Sequence, residues 1–132
     1  MRKKQAPLPK PTAAELEILA VLWRTGASTV REVHAGLANS QAVGYTTTLK
    51  LMQIMAGKGL LIRDERDRAH VYHPAVKQEQ TQRQIVHDLL DRVFGGSASQ
   101  LVLRALSGRS ATKQEVEEIR RMLDDIEHRS KS

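Results

Sequence analysis

Residues 45–60 read YTTTLKLMQIMAGKGL, and the organisation of the chain can be built outward from them. Laid out at 100° steps, Thr48, Leu51, Met52 and Met55 share one side of a helix, with Gly59 at its end, and this is the stripe such a helix buries. The opposite side carries Thr46, Leu49, Lys50, Gln53 and Gly57, and the span 45–58 contains no Asp or Glu. Lys58-Gly59-Leu60 closes the helix, because glycine accepts the left-handed backbone past the last turn and the following leucine supplies the usual apolar contact. A helix without carboxylates suits a phosphate-lined groove, where every acid would face like charge. Gln53 has the two-pronged amide that pairs with an adenine edge, Lys50 can reach guanine acceptors or phosphate, and Leu49 can meet a thymine methyl. Thr46 and Thr47 stand in the first turn, where hydroxyls and amides bind phosphate oxygens. A plain solvent-facing helix could also lack acids, so the weight comes from what surrounds this one.

Two helices precede it. Thr12-x-x-Glu15 is a capping box, followed by Leu16, Leu19, Ala20 and Trp23 at helical spacing, and Thr25-Gly26 stops the run, with Gly26 expected in the left-handed conformation. A short second helix is expected after Ser28 as cap, burying Val30, Val33 and Leu37, with Arg31, Glu32 and Ala35 outside the stripe, before a polar turn over 39–44. Downstream, 60–66 and 69–74 read as two strands around the charged tip Glu65-Arg66-Asp67-Arg68. Three helices and a hairpin in this order form a winged helix-turn-helix, whose third helix enters the major groove while the hairpin touches the flanking backbone. Tyr45, Arg63, Arg66 and Arg68 are therefore candidates for backbone contacts, as are Arg2, Lys3 and Lys4 of a disordered basic tail over 1–10. Asp64, Glu65 and Asp67 interleave with the wing arginines and offset them.

The remainder is helical. Residues 77–94 align Ile85, Leu89 and Val93 and end at Gly95-Gly96. Ser97-x-x-Gln100 opens a short apolar helix, and Thr112-x-x-Glu115 opens a last one. At roughly 1.5–3 kcal/mol per buried Leu, Ile or Val, leaving these stripes in water is untenable. A second copy of the chain is the economical cover, with Leu89, Val93, Leu101, Leu103, Leu106, Ile119, Leu123 and Ile126 as the dimerisation residues. An intramolecular bundle is the alternative. The fold class is thus mainly α with a small β-hairpin: a tail over 1–10, a winged-helix domain over 11–75, and a helical dimerisation domain over 76–132.

Charge follows the same division. The net charge is +6, residues 1–75 carrying 11 Lys and Arg against 6 Asp and Glu, and residues 76–132 carrying 10 against 9. A basic first part beside a balanced second part fits a polyanion-binding unit joined to an assembly unit. The absence of cysteine excludes disulfides, thiol catalysis and thiolate metal sites, and agrees with a cytoplasmic protein. No apolar run is long enough to span a membrane and no signal peptide is evident. Trp23, Tyr45, Tyr72 and Phe94 are too few for the stacking platforms that bind single strands. His34, His70, His73, His87 and His128 are scattered, and His70 and His73, three apart on an expected strand, point to opposite faces. Gly57-Lys58-Gly59 lacks the rest of a phosphate-cradling loop. No catalytic residue, metal ligand or cofactor site is expected.

The run Thr12-Ala-Ala-Glu-Leu-Glu-Ile-Leu with Leu22-Trp23, the opening Tyr45-Thr-Thr-Thr-Leu-Lys50, the Lys58-Gly59-Leu60 stop and the strand from Arg68 to Pro74 (RAHVYHP) resemble the penicillinase repressor family, of BlaI/MecI type. The resemblance runs from about Lys10 to Glu127. It implies a winged-helix DNA-binding domain, a C-terminal helical dimerisation domain and repression of operons such as antibiotic-resistance genes. Thr46, Thr47, Lys50 and Gln53 fall on the family's groove-facing positions, whereas Leu49 and Ile54 stand where staphylococcal members carry arginine. Those members are inactivated by cleavage of an Asn-Phe pair in the fifth helix, after a membrane sensor protease detects a β-lactam. The corresponding pair here is Arg104-Ala105. Copper-responsive relatives bind metal through cysteines that this chain lacks. The expected function is a homodimeric, sequence-specific repressor on a pseudo-palindromic double-stranded operator, relieved by an upstream signal such as proteolysis. The rivals are a winged-helix protein-interaction adaptor and an architectural protein binding DNA without sequence preference.

Overall fold

The computed structural model describes residues 9–108 and 110–131. The tail cations Arg2, Lys3 and Lys4 lie outside the described residues. Six helices and three short strands follow in the order α1 (Ala13–Thr25), β1 (Ser28–Thr29), α2 (Val30–Gly36), α3 (Tyr45–Lys58), β2 (Leu61–Asp64), β3 (Val71–Pro74), α4 (Gln78–Arg92), α5 (Ala98–Ser107) and α6 (Lys113–Ser130). The chain is mainly α with one small antiparallel sheet, a winged helix-turn-helix followed by helices. Two compact units divide between Gln82 and Arg83.

In the first unit the capping box of α1 is made in full. The Thr12 amide donates to Glu15 Oε1 at 2.9 Å, and the Glu15 amide donates to Thr12 Oγ1 at 3.2 Å. The buried stripe of α1 is Ile18, Leu19, Val21 and Leu22, not the expected Leu16, Leu19, Ala20 and Trp23: Ala20 is exposed and Leu16 and Trp23 are only partly covered. Ile18, Leu19 and Leu22 face inward against Val33 of α2, Met52 and Met55 of α3, and Tyr72 of β3, every one of them buried. Trp23 lies at the edge of this core and donates Nε1–H to the Val76 carbonyl at 3.1 Å, tying α1 to the segment before α4. Gly59 takes φ 84°, ψ 14°, the left-handed conformation expected of it, and the Leu60 amide reaches back to the Met55 carbonyl at 2.9 Å with its side chain fully buried.

Several expectations are corrected. Gly26 has a positive φ of 84° but ψ −168°, a glycine-only extended region rather than the left-handed helical one. The cap of α2 is Thr29, which forms a complete box with Glu32. The Ser28 hydroxyl instead donates to the Gly26 carbonyl at 2.9 Å, and Ser28 and Thr29 together form β1 opposite Tyr72 and Val71 of β3, so the wing is a three-stranded sheet of order β1-β3-β2 and not a bare hairpin. The two wing strands are also shorter than expected. Asp64 Oδ1 accepts the Arg66 amide at 3.0 Å, and this side-chain turn takes the chain out of the ladder at Asp64. His70 precedes β3, and only His73 is in it, opposite Ile62.

The second unit is built differently. Two of its helices begin where expected, Thr112 and Glu115 completing the box of α6 and Ser97 capping α5, whereas α4 ends at Arg92, so Val93 and Phe94 lie past it ahead of Gly95 and Gly96. Of the Ser97 box, only the forward bond is made, from the Gln100 amide to Ser97 Oγ at 3.3 Å. Ser97 sits at ψ 101°, away from the 160–170° of the three complete boxes. No residue of this unit is buried among the described residues. Among those residues no helix is long and apolar enough to cross a membrane.

Candidate nucleic-acid interface

The face of α3 that carries the candidate residues is positioned from two sides. At its C-terminal end Lys58 Nζ donates to both oxygens of buried Glu15, at 2.9 Å each. Burial pushes the Glu15 carboxyl up. The Thr12 amide, the Lys58 ammonium and the Thr12 hydroxyl outweigh it and hold the group below its ordinary value. At its N-terminal end the buried Thr48 hydroxyl meets His34 Nδ1 of α2 at 2.8 Å, and the His34 ring meets Tyr45 edge-on, with centroids 6.0 Å apart. Core burial of Met52 and Met55 fixes the rotation of α3 between these two ties.

What this leaves outward is close to the face read from the sequence. Thr46, Thr47, Lys50 and Gln53 are exposed, and Gly44, the cap of α3, contributes no side-chain bond and no charge. Leu49 differs. It is half-buried and packs against the core, so only part of its side chain is presented, and exposed Ile54 is the apolar residue on the outer side.

Between α3 and the wing lies a cleft of about 510 Å³. It brings together Tyr45, Leu49 and Gln53 from α3 with Arg63 and Arg68 from the wing, and no carboxylate lines it. Thr46, Thr47, Lys50 and Arg66 are not among its lining residues. Arg31 and His70 are, Arg31 from α2 and His70 from just before β3. An exposed cation off the buried stripe of the helix before α3 stands close to the same groove, and this is the sequence signal for Arg31.

The wing cations are unequal. Arg66 donates to Asp64 through Nε and Nη2, the latter at 2.6 Å, and these bonds together with the Arg66 amide hold the Asp64 carboxyl down at about 2. Arg63 pairs with Glu65. Arg68, like Lys50, has no ion-pair partner among the described residues.

A tri-helical head with a three-stranded wing and an outward, acid-free third helix defines a winged helix-turn-helix protein. The family model described as "Penicillinase repressor" matches residues 11–125, and the chain belongs to that family. It is 30% identical over 114 residues to the transcriptional regulator BlaI of Mycobacterium tuberculosis, covering 86% of this chain and 82% of that protein. It is 24% identical over 124 residues to the penicillinase repressor of Bacillus licheniformis, covering 94% and 97%. A solved structure of the monomeric form of B. licheniformis BlaI in complex with the blaP half-operator is 25% identical, covers 55% of this chain and 89% of that one, and has a TM-score of 0.48.

Proposed function

We propose that this chain is a DNA-binding transcriptional repressor that holds a pseudo-palindromic operator as a homodimer, with one α3 in each of two major-groove segments. The observation that carries the reading is the outward face of α3: Thr46, Thr47, Lys50 and Gln53 are free of acids and held at both ends of the helix, beside a cleft lined by arginines and no carboxylate. Membership of the penicillinase repressor family supports it. Gln53 reads bases, Lys50 and the threonines fix register on the phosphates, and Leu49 offers its exposed part to an apolar base edge. The division proposed is a reading head over 11–75 and an assembly domain over 76–132, with the two compact units parting a few residues further on, between Gln82 and Arg83.

Dimerisation is supported by the second unit. Leu103 is 62% exposed, Val93 66% and Leu123 58%, and Leu89, Leu106 and Ile126 are also exposed, while Leu101 and Ile119 are only partly covered. Relief by an upstream signal fits the placement of Arg104 and Ala105, both exposed in α5, where local opening would present the bond to a membrane sensor protease.

Substituting Gln53→Ala and titrating the protein against its selected duplex and single-base variants of it tests the base-reading role. Affinity for the selected duplex should fall by about 1–3 kcal/mol, with discrimination lost at one base pair of each half-site. Unchanged discrimination would remove Gln53 from the reading face.

A further inference from the structure

We propose that Arg31 of α2 holds a backbone phosphate at the mouth of the cleft, and that the wing arginines Arg63 and Arg66 do not; the inference rests on the DNA-binding reading above. The Arg31 guanidinium carbon stands 5.3 Å from the centroid of the Tyr45 ring. That ring is met edge-on by His34, which is itself bonded to the buried Thr48 hydroxyl. The guanidinium therefore rests on a stack anchored in the core of the head. A planar cation stacked on an aromatic face keeps its N–H edge free for a bidentate phosphate and has less rotamer freedom to lose on binding. Arg31 is exposed, has no ion-pair partner among the described residues, and lines the same cleft as Gln53 and Arg68, in which no carboxylate stands.

The wing arginines are placed the other way. Arg66 is held by Asp64 through three side-chain contacts, and Arg63 by Glu65. Either arginine would have to give up its carboxylate to take a phosphate, and the carboxylate released would face that phosphate as a like charge. With Asp67 added, the wing from Arg63 to Asp67 has no cationic surplus. Among the described residues, the cations at the groove that release counterions are therefore Arg31, Lys50 and Arg68.

The experiment is a salt titration of DNA binding by the full chain, between about 50 and 200 mM, on a duplex recovered by random-sequence selection and on a scrambled duplex. Arg31→Gln should lower the slope of log affinity against log salt by about 1 and weaken both duplexes alike, while Arg31→Lys keeps the slope. Arg63→Gln and Arg66→Gln should leave the slope as it is in the unaltered chain. An unchanged slope in Arg31→Gln, a slope in Arg31→Lys as low as in Arg31→Gln, or a loss of about 1 in either wing variant would overturn the assignment. Failure of the unaltered chain to bind either duplex would instead take down the DNA-binding reading, and the role of Arg31 with it.

Discussion

The head and the C-terminal helices are built from the same local devices and reach opposite outcomes. Both start helices with complete capping boxes, at Thr12 and Thr29 in one and at Thr112 in the other. In the head, the apolar stripes of α1, α2 and α3 close on each other and on Tyr72, leaving Leu19, Val33, Met52, Met55 and Leu60 with no exposed surface. In the second unit the apolar stripes are left exposed or only partly covered, and no described residue is buried. Periodicity specifies which face of a helix seeks cover. It does not specify whether the cover comes from the same chain. The head is a finished object, and the second unit, on the proposed dimer, is half of one.

The largest expected effect lies on the unfinished side. Leu103→Asp should give monomers by sedimentation and weaken operator binding by about 10²–10⁴-fold, the gain that comes from linking two reading heads, while the head keeps its melting transition. Dimers that persist in this variant would dissolve the contrast between the two regions. On the finished side Leu19→Ala should cost about 2–5 kcal/mol of head stability, read by denaturant unfolding, because a fully enclosed site has no room to collapse.

A smaller effect tests the tie between α1 and α3. The Glu15 carboxyl is held below its ordinary value, so the stability it contributes is present above the unfolded-state pKa and is lost as pH falls through the lowered one. Glu15→Gln should cost about 1–3 kcal/mol near neutral pH and remove that acid-side loss, which urea midpoints measured at descending pH would show. Least of all, Thr29→Ala and Thr112→Ala should each cost about 1 kcal/mol. The first should appear in the melting of the head and the second in dimer dissociation; a shift of head stability by Thr112→Ala would mean that the two regions are not independent.

Much of this was legible in the sequence because the decisive interactions are local. The boxes at Thr12 and Thr112, the Gly59 stop and the buried stripe of α3 involve residues three to five positions apart. Where the reading missed, the partner lay far along the chain or the geometry was one of equals. Ser28 and Thr29 both enter β1, opposite Tyr72 and Val71 more than forty positions on; the Ser28 hydroxyl donates back to the Gly26 carbonyl at 2.9 Å, and Thr29, with Glu32 three positions on, is left to cap α2. Leu49 lies on the outer half of the helical wheel, yet it packs against the core beside the wing cleft. The pairing of Arg63 with Glu65 and of Arg66 with Asp64 joins residues two apart, at a spacing that signals nothing until a turn folds them together.

Random-sequence selection on the full chain asks at once whether α3 reads bases and whether two heads are held together. The consensus should be two inverted half-sites with centres about 10 base pairs apart or a multiple of that, reflecting a two-fold dimer. A single half-site would contradict the assembly role of the second unit, and a pool with no consensus would contradict the reading role of α3.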